Sequence, residues 1–80
     1  MATPQIAART AELVSKAMVN AGMSRQQLSK ETLIPYNTLK RRLRGDEPTF
    51  NLSELFYVAR ALNVPPSSLL PESIADSQAA

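Results

Sequence analysis

An 80-residue chain without cysteine or histidine excludes a disulfide framework and a thiolate metal site, and it lacks the commonest general base and metal ligand. Its 44% apolar content suits one small domain, no stretch approaches the roughly 18 apolar residues of a membrane span, and Met1-Ala2-Thr3-Pro4 has no basic region ahead of an apolar run. A small cytoplasmic binding protein fits these limits better than an enzyme. The net charge of +2 divides unevenly. Ser24 to Gly45 holds six of the nine Lys and Arg residues against Glu31 alone, a net of +5, whereas Asp46 to Ala80 holds Arg60 against five acids, a net of −4. A concentrated basic segment inside a small folded domain most often meets phosphate.

The first helix is expected over about residues 4–21. Thr3 suits the N-cap and Pro4 the first helical position. Ile6, Thr10, Leu13, Val14, Ala17, Met18 and Ala21 recur at the three-and-four spacing of one buried stripe. Arg9, Glu12 and Lys16 fall on the other side, Glu12 and Lys16 in the favourable i,i+4 order. Gly22 stops the helix by taking the left-handed conformation past its end.

The second helix, about 25–32, opens with Ser24 as cap, Gln27 three residues on as in a capping box, and Met23 and Leu28 at the staple positions. It is short because Pro35 disfavours helical geometry at Ile34. The third, about 36–44, ends at Gly45. Leu39 and Leu43 mark its inner face; Asn37, Arg41 and Arg44 lie roughly opposite, Thr38, Lys40 and Arg42 occupy the flanks, and Tyr36 sits in the exposed first turn.

Residues 46–49 read as a loop. The fourth helix, about 52–62, has Asn51 as cap, Glu54 completing the box, and Phe50 and Leu55 as staple. Leu52, Leu55, Phe56, Val58, Ala59 and Leu62 supply its apolar face, with Phe50, Phe56 and Met18 assigned to the core. Asn63 suits a left-handed C-cap. Residues 66–70 form one short helical turn. The result is an all-α, five-helix domain over residues 1–70, followed by a polar tail, 71–80, expected to be flexible.

A short capped helix, a tight turn and an exposed cationic helix form the arrangement that lets a second helix enter the major groove N-terminus first while the first crosses the backbone. Tyr36, Asn37 and Arg41 then stand nearest the bases. The Asn37 amide matches adenine and the Arg41 guanidinium matches guanine, each bidentately. Phosphate contacts fall to Arg25 and Gln26 beside the second helix's N-terminal amides, and to Thr38, Lys40, Arg42 and Arg44. For Arg42 a second role competes, as partner to a nearby acid. Glu12, Glu31, Glu47 and Glu54 sit on different elements without metal-ligand spacing, and no base accompanies a Ser or Thr nucleophile, so neither catalytic residues, metal, cofactor nor small-molecule substrate is expected.

Gly22-Met23-Ser24, Leu28-Ser29, Ile34, Leu39, Gly45, Leu55, Ala59 to Val64 and Leu69-Leu70 together resemble the lambda-repressor/Cro (XRE-like) helix-turn-helix family over about residues 5–70. The run Ile34 to Leu43 is similar to variants common in actinobacteria and their phages. The resemblance implies a five-helix fold, base reading from the first turn of the third helix and one turn later (Tyr36, Asn37, Arg41), and a phosphate or supporting contact from Arg25. Two positions depart from the pattern. Leu33 replaces the usual turn glycine; a branched residue is strained in the left-handed region, so either the turn is shaped differently or Leu33 packs into the core. Arg42 stands where the family often has an apolar residue and Leu43 where it often has an acid, which implies an inner face shifted by one residue at the end of the helix.

The function expected from this resemblance is sequence-specific binding of double-stranded DNA by a transcriptional regulator in the bacterial or infected-host nucleoid, a Cro-like or short immunity repressor that blocks promoter access. The chain leaves no room for a separate C-terminal dimerisation domain, so a homodimer would use the fifth helix, the tail or the exposed side of the fourth, with Leu69, Leu70 and Ile74 as candidate contacts or, alternatively, as core and tail residues. The rivals are an antitoxin or other protein-interaction module using the same fold, and sequence-neutral nucleoid binding. No membrane partner is expected.

Overall fold

The first helix buries Ala7, Thr10, Ala11, Val14 and Met18, a stripe at i, i+3, i+4 and i+7 that brings the chain's small residues against its neighbours. The computed structural model describes residues 6–46 and 48–71. It places α1 at Ile6–Ala21, α2 at Arg25–Thr32, α3 at Tyr36–Arg44, α4 at Leu52–Leu62 and a single 3₁₀ turn at Pro66–Leu69. The expected fifth helix is thus one tight turn, since Pro65 and Pro66 remove two backbone donors and leave Ser68 and Leu70 to make i→i+3 bonds. Among the described residues there are four α-helices and no strand. The expected N-cap Thr3, Pro4 at the first helical position, Ile74 and the tail from residue 72 lie outside the described residues, while Pro71, assigned to the tail, is buried.

The stripe on α1 is rotated slightly from expectation. Ala7 and Ala11 are buried, while Leu13 and Ala17 are half-buried and Ala21 is exposed. Glu12 takes Arg9 as its partner at 2.9 Å, one turn back, in an exposed pair worth little to stability. Gly22 sits at φ +67°, with its N–H bonded to Val19 O and that of Met23 to Met18 O, a left-handed helix end.

Local grammar sets the other helix ends. Ser24 Oγ accepts the Gln27 N–H at 3.1 Å at the start of α2. At α4 the box is reciprocal: Asn51 Oδ1 accepts from Glu54 N at 2.7 Å, and Asn51 N donates to Glu54 Oε1 at 3.0 Å. Asn63 ends α4 at φ +59°. α1 packs on α3, α4 and the 3₁₀ turn, and α2 packs on α3 and α4. Val14, Leu28, Ile34, Leu39, Phe50, Leu55, Val58, Leu62 and Leu69 close one core between them.

Two apolar side chains assigned inward point outward. Phe56 is 54% exposed and Leu52 is also exposed. The buried side of α4 is the narrower set Leu55, Val58, Ala59 and Leu62; Phe56 lies about 100° round the helix from Leu55, off that stripe. Leu69 is buried and Leu70 is half-buried against the core, so of the two readings open for this pair it is core closure that the fold displays.

Candidate nucleic-acid interface

The turn between α2 and α3 is held by its own side chains. Thr32 Oγ1 donates to Leu28 O at 2.7 Å and accepts the Ile34 N–H at 3.3 Å, both in the interior. Ser29 Oγ donates to Ile34 O at 2.6 Å, and the Leu33 N–H reaches Ser29 O at 3.0 Å. These bonds force Leu33 to φ +62°, ψ +15°, the conformation a glycine would adopt freely. Its side chain does not pack inward to compensate: Leu33 is 88% exposed. The turn therefore has the left-handed shape, and the leucine carries the strain in solvent.

Pro35 follows with an extended backbone, φ −54° and ψ 142°, and its carbonyl accepts the Leu39 N–H, which starts α3. Leu39 is fully buried and Leu43 packs half-buried against the core, which fixes the rotation of the helix. The opposite side then carries Asn37, Lys40, Arg41 and Arg44 into solvent. Asn37 and Arg41 are one turn apart on that side. Lys40 Nζ lies 5.6 Å from the centroid of the half-buried Tyr36 ring, a cation–π distance that holds both side chains along the same edge.

A groove between the end of α1, the start of α2 and the second half of α3 is lined by Arg25, Gln26, Lys40 and Arg44. The N-terminal amides of α2 open onto the same place, so partial and full positive charges converge there. Arg44 is meanwhile tied to Asp46, Nη2 to Oδ2 at 2.7 Å and Nε to Oδ2 at 3.0 Å, with both side chains well exposed. Thr38 is half-buried on the flank of α3.

Arg42 departs from this set. Its Nε donates to Glu54 Oε1 at 3.1 Å, Nη2 to Glu54 Oε2 at 3.4 Å and Nη1 to Pro48 O at 2.8 Å. The two side chains are only 14% and 16% exposed. All three guanidinium nitrogens are engaged with α4 and the loop before it, so of the two roles open for Arg42 the structure displays that of partner to an acid. The inner face of α3 is not shifted at its end as expected: Leu43 still packs against the core, and Arg42 takes a partly buried place beside it. Sequence reasoning found Glu54 as a cap but not its second bond; a contact twelve residues apart across a loop leaves no periodic signal.

Among the described residues no helix is long and apolar enough to cross a membrane, and no group of His, Cys, Asp or Glu side chains is arranged to hold a metal ion. Comparison with curated proteins yields no match. The family model for the Cro/C1-type helix-turn-helix DNA-binding domain matches residues 14–71, the span from the middle of α1 to just past the 3₁₀ turn. That span includes the strained turn, the exposed face of α3 and the groove at the start of α2, and the chain belongs to the Cro/C1-type family of helix-turn-helix DNA-binding regulators.

Proposed function

We propose that this regulator reads a specific double-stranded operator through the outer face of α3 and represses by occupying the promoter. The observation that supports the reading is the rotation of α3: with Leu39 at zero exposure beneath it, Asn37 and Arg41 face solvent, and the half-buried Tyr36 edges the first turn. Asn37 pairs with adenine and Arg41 with guanine, while Tyr36 supports an apolar or phosphate contact at the helix entry. Arg25, Gln26, Lys40 and Arg44 clamp the flanking phosphates together with the α2 amides, and Thr38 reaches the backbone from the flank. Arg42 is left out of the contacting set because its donors are spent on Glu54 and Pro48. The likeness of Ile34 to Leu43 to phage regulators supports a Cro-like or immunity-repressor role, and the occlusion mechanism requires only that the domain sit on the promoter.

The test is selection of binding sites from a random duplex pool at about 0.15 M salt, where non-specific phosphate attraction is weakened. Enrichment of one motif, lost on Asn37→Ala or Arg41→Ala, supports operator reading. A pool that stays random after repeated rounds overturns it.

A further inference from the structure

We infer that the groove between the end of α1, the start of α2 and the second half of α3 is a small-molecule site for an organic phosphate, an anionic head on a short apolar body. Its volume is about 740 Å³, within the range of small-ligand clefts, roughly 300–1,000 Å³.

The groove has two halves of different chemistry. Arg25, Lys40 and Arg44 supply three cations. At the start of α2, Ser24 Oγ accepts the Gln27 N–H and Ser24 O accepts the Leu28 N–H. The Arg25 and Gln26 N–H groups stand ahead of the first helical hydrogen bond and are left for an anion. Asp46 holds Arg44, so Arg25, Lys40 and these two amides are the centre of the head site. The other half is apolar, formed by Met18, Val19, Met23 and Leu43. Met18, Met23 and Leu43 belong to the core or pack against it. Val19 is 79% exposed and takes no part in the core.

The occupant follows from having both halves in one groove. A duplex presents phosphates to the cationic half, but its own apolar surface is stacked inside, and it has nothing to lay on Met18, Val19 and Met23. A bare phosphate ion leaves the same floor wet. A phosphate ester with a short alkyl or aryl body satisfies both halves. Its head meets Arg25, Lys40 and the two amides, and its body covers the valine and the methionines, whose flexible thioethers adapt to differing shapes. That its occupation displaces DNA rests on the phosphate clamp proposed above; the ligand site itself does not.

The experiment is a titration of the isotope-labelled whole chain, without DNA, with octyl phosphate below its micelle concentration, followed by amide NMR shifts. Inorganic phosphate and octyl glucoside, each carrying one half of the ligand, are the controls. Saturable one-to-one shifts centred on Gly22 to Gln26 are expected, with both controls at least about tenfold weaker. Val19→Ser, at an exposed side chain whose loss leaves the melting temperature level, weakens octyl phosphate about fivefold, and Arg25→Ala weakens it about tenfold. The absence of saturable shifts overturns the proposal. So does octyl glucoside binding as tightly as octyl phosphate, which would mean an apolar patch only, and so does inorganic phosphate binding as tightly, which would mean an adventitious ion only. Binding indifferent to both substitutions overturns it as well, since the ligand would then sit elsewhere. A labelled duplex separates this site from the clamp: octyl phosphate that displaces DNA upholds both, and octyl phosphate that binds while DNA stays in place upholds the ligand site and moves the clamp away from it.

Discussion

Glu54 Oε1 accepts from Arg42 Nε at 3.1 Å and from the Asn51 backbone N–H at 3.0 Å. One carboxylate oxygen thus caps α4 and fastens the end of α3 to it. With Nη1 of Arg42 on Pro48 O, the connection between the two helices is closed from both sides. This polar contact braces α3 on α4.

Adjacent arginines should therefore fail in different ways. Arg42→Ala leaves Glu54 partly buried and short of a partner, and should cost about 1–3 kcal/mol of stability, measured by urea unfolding. Arg41→Ala, on the exposed side, should change stability by less than about 0.5 kcal/mol yet weaken operator binding by about 1–3 kcal/mol and relax preference at one base pair. Equal destabilisation by the two would contradict the rotation of α3 described above.

Replacing Leu33 by glycine should stabilise the monomer by up to about 1 kcal/mol. Relief of the left-handed strain favours the folded state, and the extra freedom of glycine in the unfolded chain takes back part of the gain. Thermal melting at low protein concentration reads the difference. A clear loss of stability would mean that the exposed leucine contributes to the fold of a single chain.

The helices and their ends were legible because they depend on neighbours in sequence. Ser24, Asn51, Asn63, Gly22 and Gly45 each act within a few residues, and each stands where the pattern put it. The direction of apolar residues was less legible. Phe56 and Leu52 are as hydrophobic as Leu55, and only tertiary packing decides which of them meets the core. The long-range partner of Arg42 was equally hidden, since charge alone does not distinguish a phosphate-seeking arginine from one paired across a loop. Leu33 was recognised as a departure, but its exposure depends on the hydrogen bonds of Ser29 and Thr32, which hold the turn without help from the leucine side chain.

The two glycines should respond unequally to alanine. Both have positive φ, so Gly22→Ala should cost about 1 kcal/mol from backbone strain, with nothing within 4 Å of the added methyl. At Gly45 the new Cβ would stand 3.2 Å from Ala8 Cα and 3.6 Å from its Cβ, backbone that moves only if α1 moves. Gly45→Ala should therefore cost about 2–3 kcal/mol, adding overpacking to strain. The same urea series as for Arg42 gives the comparison, and equal costs would mean that α1 yields freely at Ala8.

Asp46 holds the guanidinium of Arg44 at 2.7 Å in an exposed pair, and a phosphate must compete with it. If Arg44 meets phosphate as proposed, Asp46→Asn should remove both the competitor and a nearby negative charge, tightening operator binding several-fold at constant salt while leaving stability within about 0.5 kcal/mol. Lys40→Ala should act in the opposite sense, weakening all sequences alike and reducing the slope of log affinity against log salt by about 1. Fluorescence anisotropy of a labelled duplex across a salt series measures both. If Asp46→Asn left affinity and slope unchanged, Arg44 would have no place at the phosphate backbone, and the clamp would rest on Arg25, Gln26, Lys40 and the first amides of α2.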